Sequence, residues 1–151
     1  MLLALLVAYI GGTGGWEAGV LPAVVLAVLA VDLVGGVVTT TSAAAGRERH
    51  SRRFRLGFVA CHVLHLVVVG VVFGTGWAWT VGNAAFLLAA AVTIEWAPPR
   101  TRRVVAVTAF ASGVLVDLLW LPVPPVVAWV PGLLFLKLLV GFLGSMGTSA
   151  H

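Results

Sequence analysis

Charge is what this chain has least of. Nine Lys or Arg and five Asp or Glu among 151 residues put charged side chains at 9%, against roughly a quarter in a soluble domain. So few charges cannot clothe a water-soluble fold of this length, so a soluble enzyme or binding module is excluded. Cysteine is nearly absent as well. Cys61 stands alone within an apolar run, which excludes an intramolecular disulfide and leaves the redox compartment unspecified; a buried, inert thiol is expected there. Also missing is any polar stretch long enough to be a linker or second module, so 1–151 reads as a single integral membrane domain. Residues 1–10 lack a basic n-region and run into Gly11-Gly12-Thr13-Gly14-Gly15 without a small-x-small site, so a cleaved signal peptide is not expected. That glycine run has no following Lys-Ser/Thr and no preceding strand, which excludes a phosphate-binding loop.

What fills the sequence instead is hydrocarbon. Hydrophobic residues make up 61%, and the mean hydropathy is +1.12. Apolar runs punctuated by Gly, Pro and Arg give spans of about 2–15, 19–38, 56–74, 77–97, 104–121 and 126–144. Crossing a bilayer takes about 20 apolar residues, so the first is marginal. The expected fold class is all-α: a polytopic transmembrane helix bundle of about six short helices, five if 2–15 does not span.

The formal charge of +4 would raise the question of nucleic acid in a soluble protein. Here eight of the nine basic residues fall in two patches, Arg47, Arg49, Arg52, Arg53 and Arg55, then Arg100, Arg102 and Arg103. Two spans separate the patches, so loops 46–55 and 100–103 share a side, which the positive-inside rule makes cytoplasmic. The chain reads as a multi-pass plasma-membrane protein whose partner is the lipid bilayer, with no nucleic acid. Arg47, Arg49, Arg52 and Arg53 are candidates for contact with acidic lipid headgroups. Trp16, Trp77, Trp79, Trp120 and Trp129 map to or near outer span ends and Trp96 to an inner end, as expected of indole rings at the headgroup level. The GxxxG steps at Gly11, Gly15 and Gly19 and at Gly70 and Gly74 favour close helix packing within the chain over a dedicated dimer face.

Loops this short confine any chemistry to the membrane. At 1.5 Å per residue, Asp32 lies roughly 20 Å, His62 about 18 Å, His65 about 14 Å and Lys137 about 16 Å below the outer ends of their spans. Four ionisable groups from three helices thus share one depth. Ionisable residues there are costly and mark function or a satisfied structural pair. His62 and His65, three apart, project from nearly one face of a helix. With Asp32 as a third ligand they are candidate metal ligands, zinc being the natural choice, with the fourth position open for water. The electrostatic alternative pairs Asp32 with Lys137 and lets the histidines relay protons or bind an ion; Lys137 is alternatively read as snorkelling to the inner surface.

Of the remaining polar groups, Asp117, roughly 6 Å deep, is expected to be solvated or hydrogen-bonded. Glu95 is expected to pair with Arg100, Arg102 or Arg103, and Glu17 to be exposed. Gly35-Gly36 and Thr39-Thr40-Thr41-Ser42 suggest a loosened inner gate, or hydroxyls bonded back to helical carbonyls.

The leading expectation is a permease-like or membrane-accessory protein in which Asp32, His62, His65 and Lys137 form a buried site for an ion, proton or small solute. The second is a metal-dependent intramembrane hydrolase using His62 and His65. The third is a helix-packing subunit of a larger complex or homo-oligomer.

Overall fold

A computed structural model describes residues 20–41, 51–121 and 123–144. The expectations for span 2–15, for Trp16, Glu17, Arg47 and Arg49, and for the Gly11, Gly15 and Gly19 steps lie outside these residues. The described residues are helical without strands: α1 Val20–Thr41, α2 Arg52–Phe73, α3 Trp77–Trp96, α4 Arg102–Trp120 and α5 Trp129–Phe135, which runs directly into wider π turns over Leu136–Leu143. Three of them, Val20–Thr40, Arg52–Phe73 and Trp77–Trp96, are long and apolar enough to cross a membrane. α4 has 19 residues and carries Arg102, Arg103 and Asp117. The last helix, Trp129–Leu143, is shorter than the expected span of 126–144. Prolines explain the difference: Pro124 and Pro125 hold 124–128 in turns, with Val127 N–H donating to Pro124 O at 3.0 Å.

Each helix end has a local cause. Ser51 caps α2, its hydroxyl accepting from Phe54 N–H at 3.3 Å. Arg52, Arg53 and Arg55 therefore belong to the first turns of α2, not to a loop as the sequence suggested. Gly74 ends α2 at φ 63° and Gly76 opens α3 at φ 85°, conformations that glycine adopts without a Cβ penalty. That short turn makes α2 and α3 an antiparallel hairpin. Gly70 lets them close: a Cβ there would overlap the Thr80 hydroxyl, so the Gly70 step serves packing within the chain. α3 stops where Pro98-Pro99 follows.

α3 and α4 pack antiparallel, as do α4 and α5, whereas α1 and α5 lie side by side and parallel, with Asp32 and Gly36 against Lys137 and Thr40 against Gly141. The fully buried side chains include Leu33, Leu66, Leu87, Ile94, Phe135 and Leu138. The outward faces are equally apolar: Val28, Val31, Leu64, Val71, Val104 and Leu119 are all exposed. Cys61, expected inside, is on that outward face, because a helical step of 100° from buried His62 turns it away from the core.

One ion pair locks the arginine end of the hairpin. Arg55 donates from Nε to Glu95 Oε1 at 2.6 Å and from Nη2 to Oε2 at 2.5 Å, a two-pronged contact on a carboxylate that is only 1% exposed. Arg52 Nε lies 3.8 Å from the same carboxylate and its guanidinium covers the Trp96 ring at 5.0 Å. Glu95 thus takes its partners from the α2 patch rather than from Arg100, Arg102 or Arg103. Hairpin geometry decides this, since the tight turn sets the start of α2 beside the end of α3. Arg55→Met is expected to lower stability by about 2–3 kcal/mol, less than a full buried-pair loss because Arg52 stays in reach. Adding Glu95→Gln should restore most of it in an unfolding titration; no recovery would show that Arg55 acts by packing.

Candidate functional site

Three helices bring their ionisable residues to one carboxylate. Asp32 sits mid-way along α1, His65 mid-way along α2, and Lys137 in the first π turn of the last helix. Lys137 Nζ donates to Asp32 Oδ2 at 2.7 Å and also lies 3.4 Å from the Asp32 carbonyl oxygen. His65 Nε2 lies 3.1 Å from the same Oδ2. Among the described residues, every side-chain contact of this carboxylate falls on Oδ2.

Sequence spacing explains how Lys137 reaches it. Asp32, Gly36 and Thr40 recur at four-residue steps and so share one face of α1, while Lys137 and Gly141 do the same on the last helix. A Cβ at Gly36 would overlap Lys137 Cε and Cδ, and one at Gly141 would overlap the Thr40 hydroxyl. The missing side chain at Gly36 leaves room for the lysine stem to lie against α1, and that at Gly141 leaves room for Thr40. Lys137 is therefore 4% exposed and turned inward; the snorkelling alternative does not hold. Gly36 is occupied space inside a continuous helix, not a loosened gate, and Thr40 Oγ1 donates back to Gly36 O at 2.7 Å.

His62 is buried behind this cluster. Its ring stacks on His65 with centroids 5.0 Å apart and planes 10° from parallel, and packs on Phe58 at 4.4 Å. Carbonyl oxygens accept from both rings' Nδ1: Phe58 O at 2.8 Å for His62 and His62 O at 3.2 Å for His65. A ring N–H must be the donor in each case, which leaves Nε2 as the outward nitrogen. For His65 this has a further consequence. Both its nitrogens face oxygen acceptors, yet a neutral imidazole carries one N–H. The arrangement is complete only with one more proton, on His65 or on Asp32.

As a metal site the set fits poorly. Among the described residues no three His, Cys, Asp or Glu side chains are grouped as a metal ion needs, and the Lys137 ammonium sits on the carboxylate that would be the third ligand. Arg52 lies over Trp96 and Arg53 is exposed in the first turn of α2, both at the arginine end and far along α2 from His65.

Of the two expectations for Asp117, solvated or hydrogen-bonded, the second holds, in a buried polar group whose partners the sequence did not name. Asp117 is 5% exposed, and its Oδ1 accepts from Trp79 Nε1 at 3.0 Å and Asn83 Nδ2 at 3.0 Å. Asn83 also donates to Trp79 O at 3.1 Å. Trp79, expected at the headgroup level, is buried at 2% for this reason. The signal in the sequence was the four-residue spacing of Trp79 and Asn83, which puts both on one face of α3. This group cross-links α3 to α4 and lies apart from the Asp32 cluster.

Comparison with known proteins finds no matching family model, no matching curated protein and no matching solved structure. The site must speak through its own chemistry: one carboxylate, one internal ammonium and one imidazole, with a proton to be shared between the carboxylate and the imidazole.

Proposed function

We propose that this chain is a small permease-like integral membrane protein in which Asp32, His65 and Lys137, backed by His62, bind and pass a proton or small cation. The observation that carries the reading is the convergence of an ammonium and an imidazole on the single oxygen Asp32 Oδ2. A carboxylate held between two such groups can exchange one positive charge for another without being left bare in hydrocarbon. The membrane setting draws support from three helices of spanning length and from outward faces made of Val and Leu, which suit lipid and not water. In this reading all five helices cross or enter the bilayer of the plasma membrane, 2–15 adds a sixth, and the arginine end of α2, α3 and α4 faces the cytoplasm.

The test is reconstitution in liposomes with a potassium gradient, valinomycin and a lumenal pH dye. Wild-type protein should admit protons above the protein-free rate. Asp32→Asn and His65→Ala should each slow this at least about tenfold, equivalent to losing about 1.4 kcal/mol at the limiting step, while eluting as folded protein. Unchanged flux in both variants would contradict the reading. Stoichiometric zinc in the purified protein, removed together with function by a chelator, would favour the hydrolase alternative instead.

A further inference from the structure

α3 and α4 pack antiparallel, yet small side chains keep their outward edges apart. Ala89, Ala90 and Thr93 of α3 stand opposite Val104, Ala109 and Ser112 of α4 across an open groove of about 420 Å³, within the range of small-molecule sites. Thr93 Oγ1 donates back to Ala89 O at 2.9 Å, which leaves the α3 wall apolar. From Val104 to Ser112 the groove runs about 12 Å along α4, most of the roughly 15 Å depth of one bilayer leaflet. At its other end it stops two residues from Arg102. We propose that this groove holds one acyl chain of an anionic phospholipid whose phosphate is bound by Arg100 and Arg102. The inference rests on the membrane setting proposed above but not on the Asp32 cluster, none of whose residues line the groove.

Charge selects the headgroup. The three carboxylates among the described residues are already held: Asp32 by Lys137 and His65, Glu95 by Arg55 and Arg52, and Asp117 by Trp79 and Asn83. None is left for the second arginine patch. Arg100 and Arg103 are exposed there, while Arg102 is half-buried, its Nε shut off from solvent and without an acceptor among the described residues. A buried N–H of a charged group left without an acceptor is costly, and a phosphate oxygen is the acceptor that the guanidinium fork suits. A zwitterionic headgroup would set its own ammonium beside three guanidiniums; an anionic one brings only the complementary charge. Shape selects the remainder of the molecule. An alkyl chain enters the groove from the surrounding hydrocarbon and restores contacts that a void between helices forfeits, whereas a hydrated anion finds nothing beyond the arginines to replace its water.

The experiment takes the full chain in nanodiscs of equal parts phosphatidylglycerol and phosphatidylcholine with identical acyl chains, and reads the lipids still bound after release by native mass spectrometry. One phosphatidylglycerol should stay on each chain, at least about tenfold more often than phosphatidylcholine. Arg102→Gln should cut that preference about fivefold, and adding Arg100→Gln should abolish it. Arg53→Gln, which removes a charge from α2 instead, should leave it within about twofold. Ala89→Phe fills the groove at an exposed position with every arginine in place, and should remove the bound lipid; Ser112→Phe serves if that variant does not fold. Equal retention of the two lipids, a preference that survives both filling substitutions, or a lipid-free dimer of the chain overturns the proposal. Such a failure, with wild-type protein still floating with liposomes, removes the groove alone; protein that does not float with them removes the membrane setting beneath it.

Discussion

Asp32→Ala is expected to destabilise the protein by about 3–5 kcal/mol, and Lys137→Met by roughly half as much, although each removes one partner of the same ion pair. The asymmetry follows from burial. Without the Asp32 carboxylate, the Lys137 ammonium is left in a space where its side chain is 5% exposed, held among the described residues only by the main-chain oxygen of position 32 at 3.4 Å. Without Lys137, the carboxylate keeps His65 at 3.1 Å and its own open side, and methionine refills the stem's volume with little strain. The double variant Asp32→Ala/Lys137→Met should resemble Lys137→Met alone, giving a coupling as large as the whole cost of Asp32→Ala, about 3–5 kcal/mol, between positions 105 residues apart. Unfolding titrations of the three variants in one detergent measure it. Equal single costs with additive behaviour would mean that the pair is not formed.

Gly36→Ala is expected to act on the site through one methyl group. Its Cβ overlaps the Lys137 stem at Cε and Cδ, so the ammonium must withdraw from Asp32 or the parallel helices must separate. A cost of about 2 kcal/mol is expected, in the range for overpacking, together with a loss of proton flux. The adjacent Gly35→Ala is the control, since a Cβ there meets nothing within 4 Å. It should change stability by less than about 1 kcal/mol, helped by the better helix propensity of alanine. Identical effects at the two positions would remove the argument that Gly36 exists to pass the lysine.

Depth was readable in the sequence and direction was not. A helix rises 1.5 Å per residue whatever its neighbours, so counting from span ends was enough to set Asp32, His62, His65 and Lys137 at one level. Which way each side chain turns depends on the faces that helices present to one another, and that is a tertiary property. Lys137 illustrates the gap: its length allows it to reach either the membrane surface or the interior, and only the groove at Gly36, contributed by another helix, decides. Glu95 was assigned to the nearer patch in sequence, whereas the tight Gly74–Gly76 turn makes Arg55 its neighbour in space. Asp117 could not be matched with Trp79 and Asn83 before α3 and α4 were known to pack side by side. The π turns over Leu136–Leu143 have no sequence signal that periodicity would catch; such wide turns cluster at functional sites, and this one carries the only lysine in the chain.

That single lysine makes the central claim directly measurable. The chain has two aspartates, Asp32 and Asp117, so protein labelled with nitrogen-15 at lysine Nζ and carbon-13 at aspartate Cγ, in lipid, gives one ammonium signal and two carboxyl carbons. The 2.7 Å contact between Nζ and Oδ2 predicts strong nitrogen–carbon dipolar dephasing that persists in Asp117→Asn and vanishes in Asp32→Asn. Absence of dephasing in the wild-type protein, or its survival in Asp32→Asn, would contradict the site.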